Sequence, residues 1–180
     1  TTLWASVGFS ESDSFAISVF TSVVNVVVTV IAIALIDRVG RKPLLLVGSA
    51  GMTLTLGTLA FLFGTAPIVD GQPALGDLAG PVALVAANLF VVFFGVSWGP
   101  VMWVMLGEMF PNRIRGAALA VAGLTQWGAN WLVTVTFPAL SAMSLGVAYG
   151  LYAFFAVVSL GIVARFLPET KGIELEDMLD

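Results

Sequence analysis

The sequence predicts an all-α membrane protein with five membrane-spanning helices. Of its 180 residues, 59% are hydrophobic and 10% are charged, whereas soluble domains carry about a quarter charged residues. The mean hydropathy is +1.04. Nearly charge-free runs are long enough to cross a bilayer as helices and lack the period-two polarity of membrane β-strands. We expect one bundle over residues 15–167, with helices at about 15–36, 44–64, 82–106, 114–140 and 145–166.

The basic residues predict how the helices are oriented. All 7 lysines and arginines lie in three places, at residues 38–42, 113–115 and 165–171, and the other connections contain none. This alternation follows the positive-inside rule. We therefore expect a multi-pass protein of the cell (plasma) membrane, with the N-terminal end of this chain outside and the C-terminus in the cytoplasm. The net charge of −4 argues against nucleic acid as a partner.

The residue inventory excludes several classes of function. Cysteine and histidine are absent, so the chain has no disulfide framework and lacks the commonest metal ligand and general base. The polar groups within the spans are amides and hydroxyls, with no nucleophile and base and no phosphate-binding loop. We expect no enzyme, no cofactor and no metal site.

Residues 1–14 are expected to contain the outer end of a preceding helix and a short external loop. Leu3, Trp4 and Val7 are apolar, and the polar stretch SESDS follows them. The chain starts at Thr1 without a signal sequence before its first span. We expect a fragment of a longer protein, or a gene product that lacks its N-terminal part.

A polar stripe runs along the first complete helix. Its residues are Ser18, Ser22, Asn25 and Thr29, and their spacing places them on one face. Hydroxyl side chains in lipid commonly bond to neighbouring helices, which is the interpretation we favour for the three hydroxyl residues. For Asn25, whose amide needs several partners at mid-membrane, packing and a place in a polar cavity remain open alternatives.

The second and fifth helices are expected to be scaffold. Both carry glycines among large apolar residues, a pattern that permits close helix packing in lipid. These glycines are Gly48, Gly51, Gly57 and Gly64 in the second helix and Gly146 and Gly150 in the fifth.

The third helix is predicted to bend or unwind near Gly99 and Pro100. Pro100 has no N–H for the carbonyl of Val96, and a break at membrane depth must face protein or water. Such breaks mark binding sites and gates in transporters, although a static kink is the alternative. Trp103 follows in the next turn, where its indole could stack on a sugar ring and donate to a hydroxyl. Trp98 lies on another face, where we expect packing.

The fourth helix carries Gln126, Trp127 and Asn130. Gln126 and Asn130 are four residues apart and share a face. Two amides and an indole form a neutral surface of donors and acceptors, which suits an uncharged polyhydroxylated ligand. Bonding between helices is the alternative, and it is the interpretation we favour for Asn130 taken alone.

Charged residues cluster in the loops expected at the cytoplasmic end. DRVGRK, residues 37–42, and EMFPNRIRG, residues 108–116, each place an acid at a helix end and arginines across a tight turn. They are topology determinants, and we further expect a breakable latch with Glu108 and Arg115 as its central pair. Pro168 should end the last helix and Thr170 should cap a short acidic segment, within a cytoplasmic tail at residues 168–180.

The ordered motifs resemble the sugar porter family of the major facilitator superfamily. They are DRVGRK, the GP-x-x-W-x-x-x-x-E run, PNRIRG, the QW-x-x-N group and PETKG, and they follow the family's order along essentially the whole chain. The resemblance is to the C-terminal six-helix half of the transporter fold, from the end of helix seven to the cytoplasmic tail.

The resemblance implies transport of a sugar or related polyol by alternating access. It implies that a substrate site contains Asn25, Trp103, Gln126, Trp127 and Asn130, and that Gly99 and Pro100 form a break in a gating helix. It also implies a cytoplasmic charge network that contains Asp37, Arg38, Arg41, Glu108, Arg115 and Glu169.

The implied partners are a monosaccharide or polyol, the lipid bilayer and the missing N-terminal half, with symport of a proton or facilitated diffusion left open. The alternative is a truncated, non-transporting membrane protein, or a half-subunit that needs a separate N-terminal half.

Overall fold

The computed structural model describes residues 10–69 and 72–172. Two long helices, a short antiparallel hairpin and four further helices follow one another along the chain. Their bounds are α1 Glu11–Val39, α2 Arg41–Thr65, β1 Ile68–Val69, β2 Gln72–Pro73, α3 Ala79–Val96, α4 Val101–Met109, α5 Asn112–Met143 and α6 Leu145–Phe166. Because α3 and α4 together form one candidate span, Ala79–Met109, the helices make five segments in the predicted order.

Helix α1 begins earlier than the sequence suggested. Ser10 is its N-cap, and the Ser10 hydroxyl accepts a hydrogen bond from the backbone N–H of Asp13 at 3.1 Å. Such a cap satisfies one of the free N–H groups of the first turn. Most of the polar SESDS stretch is therefore the first turn of a helix and not an external loop. The expected end of a preceding helix falls at residues 1–9, outside the described residues.

The connection between α2 and α3 contains a hairpin that the sequence did not predict. Strand β1 pairs with β2, with Ile68 opposite Pro73, and the backbone N–H of Ala74 bonds to the carbonyl of Pro67 at 2.9 Å. Strands of two residues are too short to show alternating polarity. The end of the bundle that carries this hairpin is called the hairpin end below, and the opposite end is called the charged end.

Helix α2 is the centre of the bundle. It packs along α6 and also against α3, and its buried side chains enter three apolar clusters that follow one another from the hairpin end to the charged end. Gly64 and Gly146 bring α2 and α6 together so closely that a Cβ on Gly146 would collide with the backbone of Gly64. The scaffold role expected for these two helices agrees with this packing.

Among the described residues, the hydroxyl groups of the α1 stripe do not bond to neighbouring helices, contrary to our expectation. Ser18, Ser22 and Thr29 each donate to the carbonyl four residues earlier in α1 itself, at 2.8 to 2.9 Å. The hydrogen bond between helices comes from a residue beside the stripe, because Thr21 Oγ1 donates to Asn88 Oδ1 of α3 at 2.9 Å. A hydroxyl in a helix can satisfy itself on its own backbone, which a spacing argument does not exclude.

Helix α5 is the longest helix and has no buried residue. Four stretches of the described chain are long and apolar enough to cross a membrane, and α5 is not among them. Amides, hydroxyls and glycines interrupt its apolar residues. It contacts mainly α6 and the short α4, so one broad side of α5 is left uncovered by the described part of this chain.

Candidate functional site

The break between α3 and α4 lies where Gly99 and Pro100 predicted it. The backbone N–H of Gly99 bonds to the carbonyl of Phe94 at 3.0 Å, five residues back instead of four, and the regular pattern resumes with Val101 bonding to Ser97 at 2.9 Å. The backbone N–H of Ser97 bonds to the carbonyl of Phe94, and the Ser97 hydroxyl donates instead to the carbonyl of Phe93 at 2.5 Å. Local widening of this kind is a frequent feature of functional sites in helices.

The break packs against a face of α2 that carries Gly48 and Gly51. A Cβ on Gly48 would overlap the side chain of Ser97, and a Cβ on Gly51 would overlap the ring of Phe93. On the same side, Trp98 donates its indole N–H to Ser49 Oγ at 2.9 Å. Trp98 was expected to pack, and the structure adds this hydrogen bond to its packing.

Trp103 reaches α5 from the first turns of α4. Its ring edge lies 3.8 Å from the position that a Cβ on Gly123 would occupy. Gln126 is three residues further along α5, and its Oε1 is buried without a hydrogen-bond partner among the described residues. Indole and amide therefore occur at neighbouring levels of α4 and α5.

The remaining candidate substrate residues are spread over two helices. Asn130 lines an open cavity of about 680 Å³ together with Thr21 of α1 and Tyr149 and Tyr152 of α6. Asn25 lies one turn beyond Thr21 and is exposed, and the ring of Trp127 is 68% exposed. The structure thus brings Trp103 beside α5 and places Asn130 at a cavity, whereas Asn25 and Trp127 face away from the core of this chain.

Arg41 is the centre of the charged end. Its Nε and Nη2 donate to the two carboxylate oxygens of Glu108 at 3.0 and 2.6 Å, while Nη2 also lies 3.0 Å from Asp37. A third donor, Nη1, reaches the carbonyl of Ile36 at 3.1 Å. A bidentate arginine–carboxylate pair fixes geometry as well as charge. This pair joins the start of α2 to the last turn of α4.

The expected pairing of Glu108 with Arg115 is wrong. Glu108 pairs with Arg41, whereas Arg115 donates Nε to the carbonyl of Phe110 at 3.2 Å, and its buried Nη2 has no partner in the described part of the chain. A short turn separates Glu108 from Arg115 in sequence, and the arginine folds back on that turn. The described residues show no ion pair for Arg38 either, because the ion pairs found there both belong to Arg41.

Glu169 caps the first turn of α2 and forms no ion pair in the described chain. Its carboxylate accepts backbone hydrogen bonds from Arg41 at 2.9 Å, Lys42 at 3.0 Å and Lys171 at 3.0 Å. Burial raises the pKa of Glu169, but these backbone donors outweigh burial and hold the pKa below its ordinary value. Negative charge at a helix N-terminus is also favoured by the helix dipole.

Gly40 makes this cap possible. It has a φ of 104°, and a Cβ there would come within 2.8 Å of the Glu169 carboxylate. The glycine in DRVGRK therefore serves both the turn between α1 and α2 and the close approach of a carboxylate from the tail.

The tail residues next to Glu169 also contact the bundle. Thr170 is buried and donates its hydroxyl to Glu108 at 2.6 Å, and Lys171 Nζ donates to the carbonyl of Arg38 at 2.6 Å. Thr170 was expected to cap an acidic segment that follows it. The contact with Glu108 corrects its role, and the segment itself, residues 173–180, lies outside the described residues.

Sequence reasoning missed Ser49, Ser159, Asn88 and the contact made by Thr170. Ser49 and Thr170 are nearly fully buried polar residues, and buried polar groups need partners. A serine between Gly48 and Gly51 in an otherwise apolar helix was the available signal for Ser49. The other contacts join residues distant in sequence, and nothing in the spacing pointed to them.

Five helical segments, four of them long and apolar enough to cross a bilayer, define the class of a helical membrane protein. Solved structures agree, because a double-tryptophan mutant of XylE superposes with a TM-score of 0.84 at 35% identity, covering 98% of this chain and 36% of that chain. XylE bound to 6-bromo-6-deoxy-D-glucose gives a TM-score of 0.80 at 36% identity, over 96% of this chain and 36% of that chain.

The chain belongs to the sugar (and other) transporter family, whose pattern matches residues 1–179. It is 55% identical to the glucose transport protein of Synechocystis, over 98% of this chain and 38% of that protein. It is 37% identical to the D-xylose-proton symporter of Escherichia coli K12, over 98% of this chain and 35% of that protein. The chain thus spans little more than a third of these relatives, and the predicted family, fold class and membrane nature are confirmed.

Proposed function

We propose that this chain forms the C-terminal half of a transporter that moves a monosaccharide or related polyol by alternating access. The observation that carries the proposal is the buried Oε1 of Gln126, which has no partner among the described residues and lies close along α5 to the ring of Trp103. A buried amide acceptor without a partner is costly unless a ligand or another protein segment supplies a donor. A sugar hydroxyl is such a donor.

The proposed site combines stacking with neutral hydrogen bonding. Trp103 would cover the apolar face of the sugar ring, while Gln126 and Asn130 exchange hydrogen bonds with its hydroxyls. Asn25 and Trp127 would complete the site from exposed faces of α1 and α5. The N-terminal half of the transporter, which we propose as the partner of this chain, would cover those faces.

The charged end would be the cytoplasmic latch. The Arg41–Glu108 pair joins α2 to α4, so a rotation of α4 about its break would separate the two side chains. In this proposal the charged end lies in the cytoplasm and the hairpin end outside the cell, in the plasma membrane. The pair would hold the inner side closed in one state and be lost in the other.

Similar proteins differ in whether their names describe sugar transport coupled to protons. One similar protein is a D-xylose-proton symporter and another, from Zymomonas mobilis, is a glucose facilitated diffusion protein. The five helical segments of this chain contain no acid away from their ends. We therefore assign any proton coupling to the half of the transporter that this chain does not include.

Uptake of labelled monosaccharides by the full-length transporter tests the site. The double substitution Gln126→Ala with Trp103→Ala should lower uptake by more than about tenfold, because it removes an acceptor and the stacking surface. Thr125→Val is the matched control, since the Thr125 hydroxyl is exposed and bonds to its own helix at Val121. Normal uptake by the double variant, at equal amounts of protein in the membrane, would reject the site.

A further inference from the structure

Trp98 holds the break between α3 and α4 through a chain of hydrogen bonds that the proposed sugar site does not use. Its indole N–H donates to Ser49 Oγ at 2.9 Å, and Ser49 Oγ lies 3.2 Å from Ser159 Oγ on α6, which lies 2.8 Å from the carbonyl of Ala156. An indole only donates and a hydroxyl has one proton. Ser49 Oγ therefore accepts from both Trp98 and Ser159, and the single Ser159 proton is shared between Ser49 Oγ and the Ala156 carbonyl.

This chain of hydrogen bonds connects a fixed part of the bundle to a part that can bend. Ser49 and Ser159 belong to α2 and α6, which approach each other through Gly64 and Gly146 and share the most extensive helix contact. Trp98 belongs to the break, where the backbone has left the regular helix pattern. If the break bends, the hydrogen bond between Trp98 and the rigid pair of α2 and α6 must change.

The burial of these groups makes the bond selective for one conformation. Ser49 is 0% exposed, and Trp98 packs against both the cluster at the charged end and the middle cluster. If the break moved away from α2, Ser49 would lose one of its two donors, and the Trp98 N–H would lose its acceptor, in a place that water does not reach, which is unfavourable. The same conformation has the Arg41–Glu108 pair closed.

We propose that Trp98 is a positioning residue that holds the α3–α4 break against Ser49 and thereby favours the conformation with the charged end closed. This rests on the proposed transport function for its biological meaning. It requires no contact between Trp98 and the sugar, and Ser49 and Ser159 act only through Trp98.

Paired reporter cysteines in the full-length transporter, made free of other cysteines, test the role of Trp98. Ser22→Cys reports the hairpin-end side from an exposed place on α1, and Ala122→Cys reports the groove between α4 and α5 near the charged end. Trp98→Phe should raise the ratio of labelling at position 122 to labelling at position 22 by about tenfold, the effect of losing one buried hydrogen bond. Trp131→Phe, at a tryptophan that is 67% exposed, should leave the ratio unchanged.

The Ser49→Ala substitution separates positioning from simple stability. It should shift the ratio as Trp98→Phe does, and the double variant should match either single variant, because both remove the same bond. The double variant should also recover any loss of folded protein, since no buried hydroxyl is left without its donor. A ratio within about twofold of the unmodified protein in Trp98→Phe, or its return to normal in the double variant, would overturn the proposal.

The labelling ratio is read without any sugar, so the two proposals fail separately. A shifted ratio in a protein that transports no monosaccharide would sustain the role of Trp98 and reject the sugar assignment. An unshifted ratio in a protein that transports a monosaccharide would reject the role of Trp98 and sustain the sugar assignment.

Discussion

Helices α2 and α5 belong to the same bundle but have opposite surroundings. α2 buries residues along its whole length, and its polar residues Ser49 and Thr55 find partners within this chain. α5 is longer, 32 residues against 25, and buries none. Its residue Gln126 has an acceptor without a partner among the described residues. The composition of α2 is explained by packing inside this chain, whereas the amides of α5 are the residues that we propose to serve a ligand or the rest of the transporter.

Glycine substitutions test this contrast with the largest expected effect. Gly48→Ala should lower the stability of the full-length transporter by about 3 kcal/mol, because the new Cβ overlaps Ser97 at the break. Gly128→Ala in α5 and Gly57→Ala in α2 meet nothing within 4 Å and should be neutral or slightly stabilising. Thermal unfolding of the purified protein in detergent measures all three. An equal loss of stability in Gly48→Ala and Gly128→Ala would contradict the difference between α2 and α5.

The pair that ties α4 to α2 should give a smaller but clear effect. Glu108→Gln keeps the shape of the side chain but leaves the mostly buried Arg41 with Asp37 as its only anionic partner among the described residues. We expect a loss of about 2 kcal/mol for the closed charged end, seen as faster labelling of Ala122→Cys. Asp37→Asn is the control, because that carboxylate is 79% exposed and exposed pairs contribute little. Equal labelling rates in Glu108→Gln and Asp37→Asn would count against the latch.

Acid should produce the smallest effect, at the first turn of α2. The pKa of Glu169 is held below its ordinary value of 4.5, so its contribution to stability is complete above that value. It is lost as the pH falls through the lowered pKa and the carboxylate takes up a proton. We expect a loss of about 0.5 kcal/mol on acidification, since the carboxylate is only partly buried and solvent screens its charge. Glu169→Gln should remove this part of the pH dependence, and an unchanged unfolding profile for that variant would exclude the cap.

The fold was largely predictable from the sequence because membrane helices reveal themselves by length and lack of charge. The helix at 145–166 agrees with Leu145–Phe166, and the Gly99–Pro100 pair marked the break. The bounds of α1 and α5 were underestimated, since polar residues that cap or extend a helix resemble loops in sequence. The hairpin was missed because strands of two residues carry no periodic pattern.

The candidate site was less predictable because its contacts join distant residues. The sequence identified Glu108 and Arg41 as members of one network but assigned Glu108 to Arg115, its neighbour along the chain. The structure pairs it with Arg41, 67 positions away, and adds Thr170 as a further donor. Charge and spacing indicate which residues can form ion pairs, whereas the packing of α2, α4 and the tail decides which pairs form.

The cap on α2 also has a consequence for the order of folding during synthesis. The ribosome makes Arg41 and Lys42 long before Glu169, so the first turn of α2 enters the membrane with its N–H groups still bonded to water. The carboxylate that takes them over arrives after all five helical segments have been made. The cap on α2 therefore forms late, and a chain that ends before Glu169 should contain the Arg41–Glu108 pair but lack the cap.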